Sequence, residues 1–143
     1  MKDLDPSVWL PKFWFFLYTA AHSYPEFPNT VTKRKYYDFV QNTPLFIPHE
    51  GVRKIWIQLL DYFPVTPYLD NKDSFTYWVH FIHNKLHQEL GKEEHTLLEH
   101  LDIYYDSYLP KSYSLSKQWG IQKYHITYFF IICCAIFILV ATK

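Results

Sequence analysis

Apolar positions recur at intervals of three and four through five stretches of the chain, the spacing that lines them along one face of an α-helix. Asp5-Pro6-Ser7 reads as a helix start, and Val8, Trp9, Trp14, Leu17, Tyr18 and Ala21 supply the apolar face of a helix ending near Tyr24-Pro25. Pro25, Pro28 and Asn29 form a turn, after which Thr32 to Gln41 carries a second helix with Tyr36, Tyr37, Phe39 and Val40. Pro44 and Pro48 bracket a short connection. Glu50 to Tyr62 gives a third helix, stopped by Pro64 and Pro67, whose rings lack the donor a helix interior needs. Asp73 or Ser74 is placed to cap a fourth helix that closes at Gly91, with Phe75, Trp78, Val79, Ile82 and Leu86 facing inward. A shorter fifth helix fits Glu93 to Tyr105. Nothing reads as a strand hairpin, and none of the three glycines sits in a phosphate-binding loop. The pattern predicts an all-α fold, a four- to five-helix bundle over residues 1–110.

Beyond the bundle the pattern changes. A Ser/Lys/Tyr-containing linker occupies residues 111–124, and the run from Ile126 to Thr142 then carries no charge. At helical rise that run covers roughly 25 Å of a hydrocarbon layer about 30 Å thick. Trp119, Lys123, Tyr124 and Tyr128 suit one membrane interface and Lys143 can snorkel at the other. Residues 125–143 are therefore expected to form a C-terminal transmembrane helix, a single-pass anchor. A buried core helix fits less well, because the segment is apolar all round. Met1 to Asp5 is polar and Pro11-Lys12 interrupts Trp9 to Leu17, so no signal peptide is read, and the bundle is expected on the cytosolic side. Lys117 and Lys123 agree with that orientation and Lys143 opposes it.

Composition narrows the function classes. Lysine and arginine balance aspartate and glutamate to a net charge of zero, which removes the electrostatic basis for nucleic-acid binding. Thirteen Tyr, twelve Phe and five Trp provide the large apolar surface of a core. The two cysteines, Cys133 and Cys134, are adjacent within the apolar run and suit neither an ordinary intradomain disulfide nor a tetrahedral zinc site. They read as small apolar helix residues. Lys33-Arg34-Lys35 reads as a solvated helix face, with phosphate or acidic lipid as the alternative. His49-Glu50 is not an acid/base pair, since neighbouring helix residues point apart and no nucleophile accompanies them.

The order of residues also carries a resemblance. Asp5-Pro6-Ser7-Val8-Trp9-Leu10-Pro11-Lys12-Phe13-Trp14-Phe15-Phe16-Leu17 resembles the opening of Erv/ALR sulfhydryl oxidases encoded by large DNA viruses. Tyr24-Pro25-Glu26-Phe27-Pro28 and Tyr36-Tyr37-Asp38-Phe39 follow in the family order. The segment from Trp78 through His83-Asn84-Lys85-Leu86-His87 to Leu90-Gly91-Lys92 is similar to the family's Trp, His-Asn-x-Val-Asn and Leu-Gly-Lys motif. Together these cover about residues 5–105.

The resemblance implies a flavin-binding helical bundle whose Cys-x-x-Cys pair passes electrons from thiols through FAD to oxygen. That chemistry needs one sulfur as thiolate and a second to resolve the mixed disulfide. His49 and Val52 stand in the two cysteine positions, between Pro48 and Arg53, so thiol oxidation by the family mechanism is excluded. Trp14, Trp78, His83, Asn84 and Lys92 match family positions that wall or bond the cofactor. Tyr18 stands where the family has His, and His87 where it has a second Asn, and such aromatic replacements can fill the space of an absent flavin. No cofactor is expected, with FAD as the alternative. His80, His83 and His87 recur at helical spacing, but His83 belongs to the motif and the others read as polar-face or filling residues, so no metal is expected.

A cysteine-free oxidase scaffold on an anchor implies a catalytically inactive structural protein. The leading expectation is a minor capsid or capsid-to-membrane linking component of a large DNA virus, sited in the virion's internal membrane or capsid, with capsid proteins as partners. The alternatives are a regulatory partner of an active, oxidase-like homologue, or a flavoprotein with a different electron donor. Homodimerisation is implied by the resemblance.

Overall fold

The computed structural model describes residues 4–110 and 127–134, and the chain divides into two compact units, Met1–Tyr104 and Tyr105–Lys143. The first unit is built from helices, and no strand occurs among the described residues. Helix α1 spans Pro6–His22, α2 Thr30–Asn42, α3 Glu50–Tyr62, α4 Lys72–Glu89 and α5 Leu97–Asp106. Two 3-10 turns, Thr43–Phe46 and Thr66–Tyr68, carry the chain into α3 and towards α4.

Each start has a local cause. The Asp5 carboxylate accepts the Ser7 amide at 2.8 Å, and Pro6 occupies the first turn, where its missing donor leaves nothing unpaired. Asn29 caps α2 through the Thr32 amide at 2.8 Å, so this helix begins at Thr30, two residues before the expected Thr32. Helix α3 begins and ends as the prolines predict. Helix α4 is capped by Asn71, which accepts the Ser74 amide at 2.8 Å, and not by Asp73 or Ser74, which lie inside its first turn. Its end is a Schellman closure: the Gly91 amide bonds the Gln88 carbonyl at 3.1 Å and the Lys92 amide reaches the His87 carbonyl at 2.9 Å. Gly91 takes the left-handed φ of 65° that this reversal demands.

Helix α5 starts at Leu97, not at Glu93. Thr96 and Glu99 form a reciprocal cap, with the Thr96 amide donating to Glu99 Oε2 at 2.6 Å and the Glu99 amide to Thr96 Oγ1 at 3.2 Å. That cap fixes the helix start and leaves residues 91–96 as a connecting loop.

The core lies where α4 meets α1 on one side and α3 on the other. Leu10, Leu17, Ala21, Val52, Trp56, Phe75, Trp78, Val79, Ile82 and Leu86 are all buried in it. Phe13, Trp14 and Trp56 pack edge to face or tilted, with centroids 5.4 to 5.8 Å apart, as aromatic quadrupoles prefer. Lys33 pairs with Asp70 at 2.6 Å, and Arg34 and Lys35 lie on a solvated stretch of α2, as the charge run suggested.

In the second unit, residues 127–134 are helical and expose Tyr128, Phe129, Phe130, Ile131 and Ile132. Cys133 and Cys134 are free and exposed. The expected span from Ile126 to Thr142 lies partly outside the described residues, and among the described residues no helix is long and apolar enough to cross a membrane.

Candidate functional site

Two regions carry the residues singled out by the sequence. The first is the start of α3. His49 is its N-cap, and the imidazole Nδ1 accepts the Val52 amide at 3.3 Å, a role more often taken by a small oxygen side chain. Gly51 gives the ring room, since a Cβ there would stand 3.2 Å from His49 Cε1. Arg53 locks the entering chain by donating from Nε and Nη2 to the Ile47 carbonyl at 3.1 and 2.8 Å. Val52 is only 1 % exposed and packs in the core. Glu50 is turned to Lys54, 2.8 Å away on the next turn, so it forms no pair with His49.

The second region is a cluster of imidazoles between α1, α4, the 91–96 loop and α5. His83 projects from α4 and is sandwiched: Trp14 stacks on it with centroids 4.0 Å apart and His100 with centroids 4.1 Å apart. His80 Nδ1 and His100 Nδ1 share a proton at 2.8 Å. His83 Nε2 and His87 Nε2 meet at 3.1 Å, and His87 Nδ1 lies 3.0 Å from the Glu93 carbonyl oxygen. His95 lies over His100 with centroids 5.3 Å apart.

These contacts fix the tautomers. A carbonyl can only accept, so His87 Nδ1 carries a hydrogen and its Nε2 is a bare acceptor. His83 Nε2 must then donate, which leaves His83 Nδ1 to accept the Tyr18 hydroxyl across a long 3.5 Å contact. Desolvation, followed by the repulsion of neighbouring imidazoles, holds His83 far below its ordinary range. The same causes bring His100 down to about 4. Desolvation also lowers His80 and His87, and burial pushes the Tyr18 hydroxyl up. His80, His83, His87 and His100 are therefore held in the neutral form at pH 7.

The residues matched to cofactor positions are distributed unevenly. Trp14 and His83 meet in the stack. Asn84 stands beside them, but its amide is spent within the chain, donating to the His95 carbonyl at 2.7 Å and accepting the His95 amide at 3.1 Å. Trp78 lies elsewhere on α4, stacked on Phe75 and donating to the Phe63 carbonyl at 3.1 Å. Lys92 is exposed on the loop. Both faces of His83 and both sides of Asn84 are thus occupied by the protein's own groups. Trp14 Nε1, by contrast, is buried without a hydrogen-bond partner.

His80, His83 and His87 do point into one region, but their nitrogens pair with one another and with His100. No group of three or more metal-ligating side chains is arranged to hold an ion among the described residues. His95 and His100 were not singled out by the sequence. The signal for them lies only in the reciprocal Thr96–Glu99 cap, which sets the phase of α5 and turns His100 inward. On the far side of α4 a cavity of about 290 Å³ is lined by Ile55, Gln58, Tyr62, Phe63, Lys85 and Glu89 among others, and it contains none of these groups.

The profile of the Erv1 / Alr family matches residues 11–106. Among solved structures, the fold is similar to the crystal structure of the yeast Erv1 core, with a TM-score of 0.64 and 19% identity, covering 74% of this chain and 88% of that one. It is equally similar to the FAD binding domain of Erv1 from Saccharomyces cerevisiae, with a TM-score of 0.64 and 19% identity over 72% of this chain and 96% of that one. No curated protein matches the chain. At such identities the structural likeness speaks for the fold alone.

Proposed function

The chain belongs to the Erv1/Alr family, and from that premise we propose that it is a catalytically inactive member, a membrane-anchored structural protein that serves as a minor capsid or capsid-to-membrane linking component of a large DNA virus. The observation that carries the loss of activity is at the start of α3. Thiol oxidation needs two sulfurs in exchange distance, one ionised and one to resolve the mixed disulfide. Here the first position is a helix-capping imidazole and the second a core valine. Cys133 and Cys134 are neighbours in the sequence and lack the Cys-x-x-Cys spacing.

The cofactor reading follows from the filled stack. One similar structure is described as an FAD binding domain, whereas in this chain the Trp14, His83 and His100 rings and the satisfied Asn84 amide complete the interior without a ligand. We infer that flavin is not retained. The anchor is supported by the uncharged run from Ile126 to Thr142 and by the exposed aromatic and aliphatic face of residues 127–134. The viral assignment is supported by the opening segment, residues 5–17.

Three measurements test these parts separately. The full chain in detergent micelles is mixed with dithiothreitol, with and without added FAD, and oxygen uptake is followed. No uptake above buffer is expected, and uptake proportional to protein would overturn the inactive assignment. Alkaline carbonate extraction of expressing cells should leave the chain in the membrane pellet, and recovery in the supernatant would remove the anchor. Detection in purified virions after stripping of the outer layers would support the linking role; its absence there would end it.

A further inference from the structure

The segment from Gly91 to Tyr104 is joined to the bundle through groups that can take a proton. The residues that α5 buries are His100 and Tyr104, while Leu98 and Ile103 are exposed and Leu97 and Leu101 half-buried. His100 meets the bundle by stacking on His83 and by the 2.8 Å contact with His80. Tyr104 adds a 3.2 Å contact with Thr19 and packs against His22, with centroids 4.8 Å apart. The loop is held at His87 through the Glu93 carbonyl and at Asn84 through the His95 backbone.

An extra proton on this seam puts a positive charge among closely packed imidazoles that are partly withdrawn from water. Each of His83 and His87 uses one nitrogen as donor and the other as acceptor, and the His80–His100 contact holds one hydrogen between two nitrogens. A second proton on His87 sets two N–H groups against each other at 3.1 Å unless His83 moves its hydrogen to Nδ1, across the long 3.5 Å contact with Tyr18. A proton added to the His80–His100 pair goes to an outer Nε2, so the 2.8 Å contact keeps its hydrogen, but the new charge stands beside the buried His83 ring that His100 stacks on. Either event places an uncompensated positive charge inside a partly desolvated site.

The charged and titratable groups around the cluster offer little to offset that. From α1 it faces Tyr18 and, beside Tyr104, His22; from α4 it faces His80, His83 and His87. The loop contributes His95 and Lys92, and Lys92 adds positive charge beside His87. From α5 come Tyr104 and Glu99, the carboxylate that favours the charged form of His100, but Glu99 is exposed and engaged with Thr96.

We propose that this imidazole seam is an acid-sensitive latch: neutral, it holds residues 91–104 against α1 and α4, and on proton uptake it releases them while α1 to α4 stay assembled. The core between α1, α3 and α4 is built from aliphatic and aromatic residues that do not titrate in that range, so the release is confined to one edge. The latch stands on the contacts of this cluster and does not depend on the anchor or on a viral setting.

Hydrogen exchange of the full chain in detergent micelles, read by peptide at pH 7.5 and pH 5.0 and corrected for intrinsic rates, tests it. Peptides covering 91–104 should lose protection by about tenfold or more at the lower pH, while those of α1 and α3 keep theirs. His100→Phe keeps a stacking face without a second proton site and should flatten that pH response. Should His100→Phe not fold, His80→Gln, at a half-exposed position, should weaken the response by removing one partner of the shared proton. Equal protection of 91–104 at both pH values would overturn the latch. So would loss of protection in α1 and α3 together with 91–104, which is global acid unfolding.

Discussion

The Nδ1 of His49 accepts the amide hydrogen of Val52 at 3.3 Å, so the two residues that the resemblance sets at the cysteine positions meet here as cap and capped. The contact makes a stability prediction. His49→Ala leaves the amide unpaired and should cost about 1 kcal/mol, lowering the melting temperature by about 4–8 °C for a domain of this size. His49→Asp restores a short acceptor at a helix N-terminus and should recover the loss. A melt of the alanine variant indistinguishable from the parent would show that the imidazole contributes nothing as a cap.

Restoring sulfur should not restore chemistry. The double variant His49→Cys, Val52→Cys places a thiol pair at the family spacing, and Val52→Cys is a small change in a buried apolar site. On the reading that flavin is not retained, the pair has no cofactor to accept its electrons. The variant is expected to show two titratable thiols, no visible flavin absorbance and no oxygen uptake beyond the parent. Flavin absorbance with turnover would mean that the stack opens to admit the cofactor.

The neutral histidines make stability depend on pH in a definite direction. His100 has an ordinary value of 6.5 and is lowered to about 4 in the fold, so the unfolded chain binds more protons between these values. Stability is therefore complete above about pH 6.5 and is lost as pH falls towards 4. His80, His83 and His87 act in the same direction. Asp5, Glu50 and Glu99 are lowered carboxylates whose contribution is lost only at lower pH, so the window from 6.5 to 5 belongs to the imidazoles. Urea midpoints measured across that window should fall with pH in the parent and fall less in His100→Phe.

Trp56 is buried against Phe13 and Trp14, yet its Nε1 has no hydrogen-bond partner. Trp56→Ala should cost about 3–5 kcal/mol through lost contacts and a cavity. Trp56→Phe should cost much less than the volume change alone suggests, because it also removes an unpaired buried donor worth about 1–3 kcal/mol. Equilibrium denaturation of both variants checks the ordering, and a phenylalanine variant as unstable as the alanine one would contradict it.

The helices were legible because their faces and stops are local. The 3.6-residue period of α1, the prolines around α3 and Gly91 after α4 each act within a few residues of where they sit. The misplaced starts were also local, but they turned on a choice among neighbours: Asn71 outcompetes Asp73 and Ser74, and Thr96 with Glu99 outcompetes Glu93. The site was half legible. Of the residues that the motif named, the fold brings Trp14 and His83 into one stack and turns Trp78 towards Phe63. The pairing of His80 with His100 depends on how α5 folds back over α4, and no period in the sequence encodes that return.

That return has a kinetic side. Tyr104 meets Thr19 across 85 residues, and His100 needs His83 already in register on α4 against Trp14 on α1. Closing so large a loop is favourable only after α1 and α4 have paired, since the rings that receive α5 exist as a surface only then. On a chain made from its N-terminus, α1 to α4 have emerged before α5 arrives, and α5 docks onto a finished template as the last step of assembly.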